Sequence, residues 1–221
     1  MDMRIQFQFE STDLFWGLYP DKNIEEMVFD LTKIFDDNMF ILTKAKGYYK
    51  EAYNKYKEEG AENWPENSID VIYHLNMLVR MVNTLDDIII KLTVNTFILH
   101  SDNPDWKPKK KVGKSGAFYD NHINDSKYPE KPSEANRYTR SLRNYITHDG
   151  DILLQHDFVT VEKNGVELKA LLGKEGYYEH NLKKFEEVYQ KVDSDIEKIL
   201  EGRDKLEKLL IDKLPIKINT H

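Results

Sequence analysis

The stretch NSIDVIYHLNMLVRMVNTLDDIIIKLTVNTFILH, residues 67–100, decides the fold class. Steps of three and four between apolar residues place their side chains on one face of an α-helix, whereas a strand would alternate at every second residue. The sequence therefore predicts a helix over about Asn67–His100 with one apolar stripe. The stripe residues are Val71, Leu75, Leu78, Val82, Leu85, Ile89, Leu92 and Leu99.

Two further stretches repeat this pattern, over about Asn23–Glu59 and about His180–Lys213. Three apolar stripes of this length can be hidden from water only against one another. A fourth, shorter helix is predicted over Pro132–His148. The predicted fold class is therefore all-α, an up-and-down four-helix bundle. The inward face of the short helix is expected to consist of Ala135, Tyr138, Leu142 and Tyr145.

Two segments between the helices have a different character. Apolar and polar residues alternate on both sides of Asn164-Gly165, a dipeptide typical of a two-residue hairpin turn, so a small β-hairpin at residues 157–171 is predicted as an insertion before the last helix. Residues 101–131 are predicted to form a long basic loop, and a loop of that length is usually functional or disordered. All of these elements are assigned to a single domain over residues 1–221.

Composition excludes several classes of function. The chain has no cysteine, which removes thiolate catalysis and cysteine-ligated metals, and its net charge of -7 is incompatible with a uniformly basic nucleic-acid-binding surface. Neither a signal peptide nor a membrane-spanning apolar run is evident, so a cytoplasmic protein with no membrane partner is expected.

The short helix is basic, although the chain as a whole is acidic. No Asp or Glu occurs from Ala135 to His148, and guanidinium groups in such a setting suit phosphate because their planar fork can bind two oxygens at once. An alternative interpretation is that these arginines are solvated or paired with neighbouring acids, and that His148 complements the helix dipole. The polar face of the helix consists of Arg137, Arg140, Arg143, Asn144, Thr147 and His148.

The run Arg143-Asn144-x-x-x-His148 at the end of this helix resembles the signature of the HEPN superfamily (higher eukaryotes and prokaryotes nucleotide-binding). The resemblance covers the four helices, although the hairpin and the long loop depart from the minimal family bundle. It implies a metal-independent endoribonuclease without cofactors, which acts as a homodimer joined through the motif-bearing helix. Such a protein would be a toxin or defence component, with an antitoxin as a further partner.

The resemblance also implies residue roles. His148 would act as general base and, in a second copy, as general acid. Arg143 would stabilise the phosphoryl oxygens, and Asn144 would orient either partner. The other arginines, Thr147 and the lysines of the basic loop would bind RNA. A non-catalytic HEPN-type module that binds RNA, nucleotide or a protein partner is the alternative.

Other kinds of site were weighed against this one. No histidine follows an acid at the Glu-x-x-His spacing of di-metal carboxylate bundles, so no metal site is predicted. Asp86 and Asp87 could form a buried acid site, but the preferred interpretation is that they lie where the second long helix leaves the core. Lys109, Lys110 and Lys111 are predicted RNA-binding residues, with Trp106 and Phe118 nearby to stack on bases, although a mobile solvated loop is an alternative.

Overall fold

The computed structural model describes residue 9 and residues 22–101, 103–148, 158–163, 166–171 and 173–212. Most of these residues are helical, so the predicted helical class is confirmed. In chain order the elements are α1 (Lys22–Glu59), α2 (Trp64–Leu99), α3 (Val112–His122), α4 (Pro132–Ala135), α5 (Arg137–His148), β1 (Phe158–Lys163), β2 (Val166–Leu171) and α6 (Lys174–Asp212).

Strands β1 and β2 pair with each other in antiparallel orientation. Phe158 lies opposite Leu171 and Lys163 lies opposite Val166. Residue 157 and the predicted Asn164-Gly165 turn lie outside the described residues, as do the strand side chains that were expected to face the helices.

The chain divides into two compact units. The first comprises residues 1–41, 81–137 and 195–221, and the second comprises residues 42–80 and 138–194. Each long helix contributes one part to each unit. No helix within the described residues has the length and apolar character needed to cross a membrane.

The predicted stripes supply the core of both units. In the second unit the Tyr49 hydroxyl donates to the carbonyl of Phe185 at 3.1 Å, and the Tyr49 ring stacks on Tyr189 with centroids 4.6 Å apart. These contacts tie α1 to α6. Buried stripe residues of the first unit are Val28, Phe35, Val82, Leu85, Ile89, Leu92, Ile196, Leu206 and Leu210, and those of the second are Leu42, Tyr49, Tyr56, Val71, Leu75, Leu78, Phe185 and Val192.

The turn between α1 and α2 is set by glycine. Gly60 directly follows α1 and has φ 66°, the left-handed conformation that commonly ends a helix and that a side chain disfavours. Past it, a short 3-10 turn over Gly60–Asn63 leads into α2. Asn67 donates to the Glu59 carboxylate at 2.6 Å and closes the turn.

The segment at residues 101–131 is more ordered than a loop, because it contains α3. The buried Asn95 side chain of α2 binds the backbone of Lys109, which lies three residues before α3. The Lys109 N–H donates to Asn95 Oδ1 at 2.8 Å, and Asn95 Nδ2 donates to the Lys109 carbonyl at 3.1 Å. An amide side chain paired in this way imitates a neighbouring strand and satisfies both backbone groups of Lys109. In this conformation the backbone of the lysine run is therefore bonded to α2 at Lys109.

Aromatic packing fixes the rest of the segment. The rings of Trp106 and Phe118 meet edge to face at 5.2 Å, and Phe97 of α2 lies 5.6 Å from Trp106 and 5.4 Å from Tyr128 between ring centroids. Phe118 and Tyr128 are buried. In this conformation the buried Phe118 ring is not exposed to stack on a base, whereas Trp106 is half-buried and its predicted role stays a prediction.

We expect Asn95→Ala to lower the free energy of unfolding by about 2–3 kcal/mol, because it leaves both backbone groups of Lys109 without their partner. Chemical denaturation measures the loss, and hydrogen exchange should show a large rise at the Lys109 amide. Asn121→Ala, which removes an exposed amide bonded to the carbonyl of Ala117, is the matched control. Unchanged exchange at Lys109 would contradict the role given to Asn95.

Asp36, a half-buried residue of α1, has a pKa that is shifted from its usual value. The Phe9 N–H donates to the two oxygens of Asp36 at 3.1 and 3.3 Å, and the Phe9 ring packs edge to face on Phe35 at 5.4 Å. Burial raises the pKa of Asp36 from 3.8 to about 7, although the Phe9 hydrogen bond and the charge of Arg203 oppose that rise. At neutral pH the Asp36 carboxyl group is therefore partly protonated.

Stability should fall as pH rises from about 4 to about 7, because over that window the folded chain retains a proton that the unfolded chain has released. We expect Asp36→Asn to be more stable than the wild type by about 1–2 kcal/mol above this window, allowing for solvent screening of a half-exposed group, and equal to it below. Denaturation across pH measures the difference. Asp30→Asn, an exposed acid on the same helix, matches the change in net charge. An equal gain in that control would contradict the assignment.

Candidate functional site

The predicted motif lies on α5, which is shorter than the sequence indicated. The predicted helix over Pro132–His148 is interrupted at Asn136, so α4 has 4 residues and α5 has 12. The break in the helix has a physical cause. Asn136 is buried and donates from Nδ2 to Asp86 Oδ1 at 2.5 Å. The start of α5 is thereby anchored to α2 within the first unit.

Most side chains of the predicted polar face of α5 are exposed to solvent. Arg143, Asn144 and His148 are exposed, as are Arg137 and Thr147, while Arg140 is half-buried. Thr139 is the buried residue of α5. The expected inward residues Ala135, Tyr138, Leu142 and Tyr145 are half-buried. The structure therefore presents the predicted polar face as a continuous surface of one helix.

Contacts within the motif organise its side chains. Arg143 Nη1 donates to Asn144 Oδ1 at 3.1 Å, so the asparagine amide orients the guanidinium beside it. The Thr147 hydroxyl donates to the Arg143 carbonyl at 2.7 Å. Its one hydrogen is thus committed to the helix, and Thr147 offers no donor to a phosphate in this conformation.

The exposed basic side chains of α5 differ from buried ones in their freedom to bind an anion. Within the described part of the chain, neither Arg143, Arg137 nor His148 forms an ion pair with a carboxylate. Guanidinium groups without acidic partners can bind an anion without first breaking an existing pair. The described residues also include no group of three or more His, Asp or Glu side chains that could hold a metal ion.

The lysines of the predicted RNA-binding run belong to the first unit, whereas the motif residues from Tyr138 onward belong to the second. Lys109 is half-buried, with its ammonium group 5.2 Å from the Phe118 ring centroid, while Lys110 and Lys111 are exposed. A pocket of about 260 Å³ is lined by Lys91, Lys109 and Lys110 and, from α1, by Met27, Asp30, Leu31 and Ile34. Two of the three predicted RNA-binding lysines therefore line this pocket, beside one carboxylate.

Sequence reasoning missed one polar pair. The preferred interpretation placed Asp86 where α2 leaves the core and is wrong, because its side chain has no exposed surface; the alternative of a buried acid is correct for Asp86. The one available signal was that Asp86 follows directly after Leu85, a residue of the apolar stripe. Nothing in the sequence indicated Asn136 as its partner, since the two are 50 residues apart.

Comparisons with known protein families, with curated proteins and with solved structures found no match. Function is therefore inferred from the chemistry of the residues themselves.

Proposed function

We propose that this protein is a metal-independent endoribonuclease of the HEPN type that acts as a homodimer. One observation carries the proposal: Arg143, Asn144 and His148 are exposed together on one helix face, with the guanidinium hydrogen-bonded to the asparagine amide at 3.1 Å. An arginine, an orienting amide and an imidazole can supply the charge stabilisation and the acid–base chemistry that phosphodiester cleavage through a 2′-hydroxyl uses.

The proposal extends to the fold. In it, α1, α2, the α4–α5 pair and α6 form an up-and-down four-helix bundle in one domain, with the β1–β2 hairpin inserted before α6. The long helices of HEPN-type bundles carry the core, and the short helix carries the motif. Contacts of α1 with α6 in the second unit, such as the bond from Tyr49 to the carbonyl of Phe185, support this arrangement.

The proposed chemistry follows from the side chains. Neutral His148 removes the proton from a ribose 2′-hydroxyl, whose oxygen then attacks the adjacent phosphorus. Arg143 stabilises the negative charge that builds on the phosphoryl oxygens, and Asn144 holds the guanidinium in place. A protonated His148 of a second copy donates its proton to the leaving 5′-oxygen. The products are a 2′,3′-cyclic phosphate and a 5′-hydroxyl end.

One copy supplies one such histidine, so the two-histidine mechanism requires a dimer in which both α5 helices face one cleft. Arg137 and Arg140 extend the cationic surface along the same helix and would hold the flanking phosphates. A cytoplasmic toxin or defence protein controlled by an antitoxin is the biological setting that the resemblance favours.

We expect the purified protein to cleave single-stranded RNA in the presence of a chelator and to leave DNA uncut, because DNA lacks the attacking hydroxyl. Arg143→Ala and His148→Ala should each lower the rate at least about 100-fold, the typical contribution of an acid–base or charge-stabilising group. Gel analysis of a labelled RNA measures the rate, and end-group analysis should detect the cyclic phosphate.

Matched controls distinguish the motif from general loss of charge. Arg80→Ala and His122→Gln alter an exposed arginine and an exposed histidine outside the motif and should cleave at the wild-type rate. Cleavage that survives both motif substitutions would rule out the assignment. RNA binding without cleavage, lost in Arg143→Ala but not in Arg80→Ala, would instead favour the non-catalytic module.

Mixing active and inactive copies tests the composite site. We expect wild-type protein denatured and refolded with a threefold excess of His148→Ala to lose more activity than dilution alone predicts, because a mixed dimer retains only one of the two histidines that the mechanism needs. The measurement is the cleavage rate of the mixture against the same two proteins combined without refolding. Activity in a protein that stays monomeric at the assay concentration would exclude the dimer.

A further inference from the structure

The pocket of about 260 Å³ beside Lys91, which we call the lysine pocket, is formed by described residues of the first unit alone. None of those residues belongs to the proposed ribonuclease motif. Helix α1 forms one side of the pocket, and α2 together with the segment that precedes α3 forms the other. Ligand pockets typically have volumes of about 300–1,000 Å³, so the lysine pocket suits a small molecule.

The α1 side of the lysine pocket is mostly apolar. Met27, Leu31 and Ile34 follow one another at steps of four and three residues, so their side chains lie in one row along the helix. Leu31 is buried and Met27 is half-buried, but Ile34 is 46% exposed. Covering the exposed part of Ile34 with an apolar group is favourable, because it removes apolar surface from water. This side of the pocket therefore favours a ligand with an aliphatic part.

The opposite side of the lysine pocket is cationic. Lys91 and Lys110 line it, and within the described part of the chain neither of them forms an ion pair with a carboxylate. The third lysine, Lys109, is already in a cation–π contact, with its ammonium group 5.2 Å from the Phe118 ring centroid. Lys91 and Lys110 can therefore bind an anion without first breaking an existing pair.

A buried amide holds this cationic side in place. Asn95, which is 0% exposed, accepts from the Lys109 N–H at 2.8 Å and donates to the Lys109 carbonyl at 3.1 Å. Lys110 is the next residue of the chain, and Lys91 lies one turn before Asn95 on the same face of α2. The placement of Lys110 on the same pocket as Lys91 therefore rests on a specific pair of hydrogen bonds.

One carboxylate restricts which anion fits the lysine pocket. Asp30 lines it from α1, is exposed, and forms no ion pair with a lysine within the residues that the structure describes. Two available ammonium groups and one carboxylate leave a balance of one positive charge. This balance favours a ligand with a single negative charge, because a doubly charged phosphate would be repelled more strongly by Asp30.

We propose that the lysine pocket binds a small aliphatic carboxylate. The aliphatic chain of the ligand lies along the row formed by Met27, Leu31 and Ile34. Its carboxylate group lies beside the ammonium groups of Lys91 and Lys110. None of the described residues that line the pocket is aromatic, so the pocket offers no ring on which a nucleic-acid base could stack. The site requires neither the ribonuclease motif nor a second copy of the chain.

The test uses the full-length protein labelled with ¹⁵N and titrated with sodium octanoate at low millimolar concentration. We expect saturable shifts of the backbone amides of Leu31, Ile34 and Lys110. Acetate, which lacks the chain, and octanol, which lacks the charge, should each bind at least about tenfold more weakly. Octylammonium is the cationic probe. Inorganic phosphate and a short single-stranded RNA test whether the same lysines bind phosphate groups instead.

Variants with matched controls locate the site. Ile34→Ser and Lys110→Gln change exposed side chains, so both proteins should fold, yet each should bind octanoate at least about fivefold more weakly. The controls are Ile211→Ser, at an isoleucine of α6 that is 41% exposed, and Lys114→Gln, at an exposed lysine of α3. Neither control residue lines the lysine pocket, and both variants should bind octanoate as the wild type does.

Asp30→Asn tests the sign of the ligand charge. We expect this variant to bind octanoate more tightly than the wild type, by about two- to fivefold, because the substitution removes a repelling carboxylate at an exposed position. Binding of octylammonium should become weaker in the same variant. The measurement is the titration midpoint of each probe at constant ionic strength.

The proposal fails on any one of four results. They are no saturable shift at Leu31 and Lys110, binding of octylammonium as tight as that of octanoate, wild-type octanoate binding in both Ile34→Ser and Lys110→Gln, and a stronger response of the same amides to phosphate or RNA than to octanoate. None of them measures RNA cleavage, so the ribonuclease proposal stands or fails separately.

Discussion

A hydrogen bond between two buried side chains, Asp86 and Asn136, sets the local geometry on which the candidate site depends. A carboxylate with no exposed surface is expensive unless donors surround it, and Asn136 supplies one at 2.5 Å. To reach Asp86, Asn136 leaves the helical path, and the predicted helix divides into α4 and α5. The start of α5 at Arg137 then determines which of its side chains face the core and which face water.

Buried polar groups of α2 act in the same way at a second place. Asn95 satisfies both backbone groups of Lys109 and so fixes the start of the basic segment, much as Asp86 fixes the start of α5. Apolar burial alone would hold these segments against α2 without specifying their position along it. Directional bonds to two polar residues of one helix therefore place both segments that carry the candidate RNA-binding cations.

The charge distribution fits a local rather than a global role for these cations. The chain carries a net charge of -7, yet α5 presents three arginines and a histidine with no acid of its own. An acidic surface repels RNA at long range, so binding would depend on close contacts made by α5 rather than on attraction by the whole molecule.

Features that depend on interactions between residues close in the sequence could be predicted from the sequence alone, whereas those that depend on distant residues could not. The periods of three and four determined the long helices to within six residues at each end, because each stripe must be buried whatever its neighbours are. The run Arg143-Asn144-x-x-x-His148 was visible because its residues share one helix. The sequence also determined the absence of acids from α5. Tertiary structure alone decided that Asp86 is buried, that Asn136 breaks the helix, that Asn95 orders the basic segment and that Phe118 packs inward. Each of these depends on which partner lies across space, and a pattern read along the chain contains no information about a hydrogen bond between residues 50 positions apart.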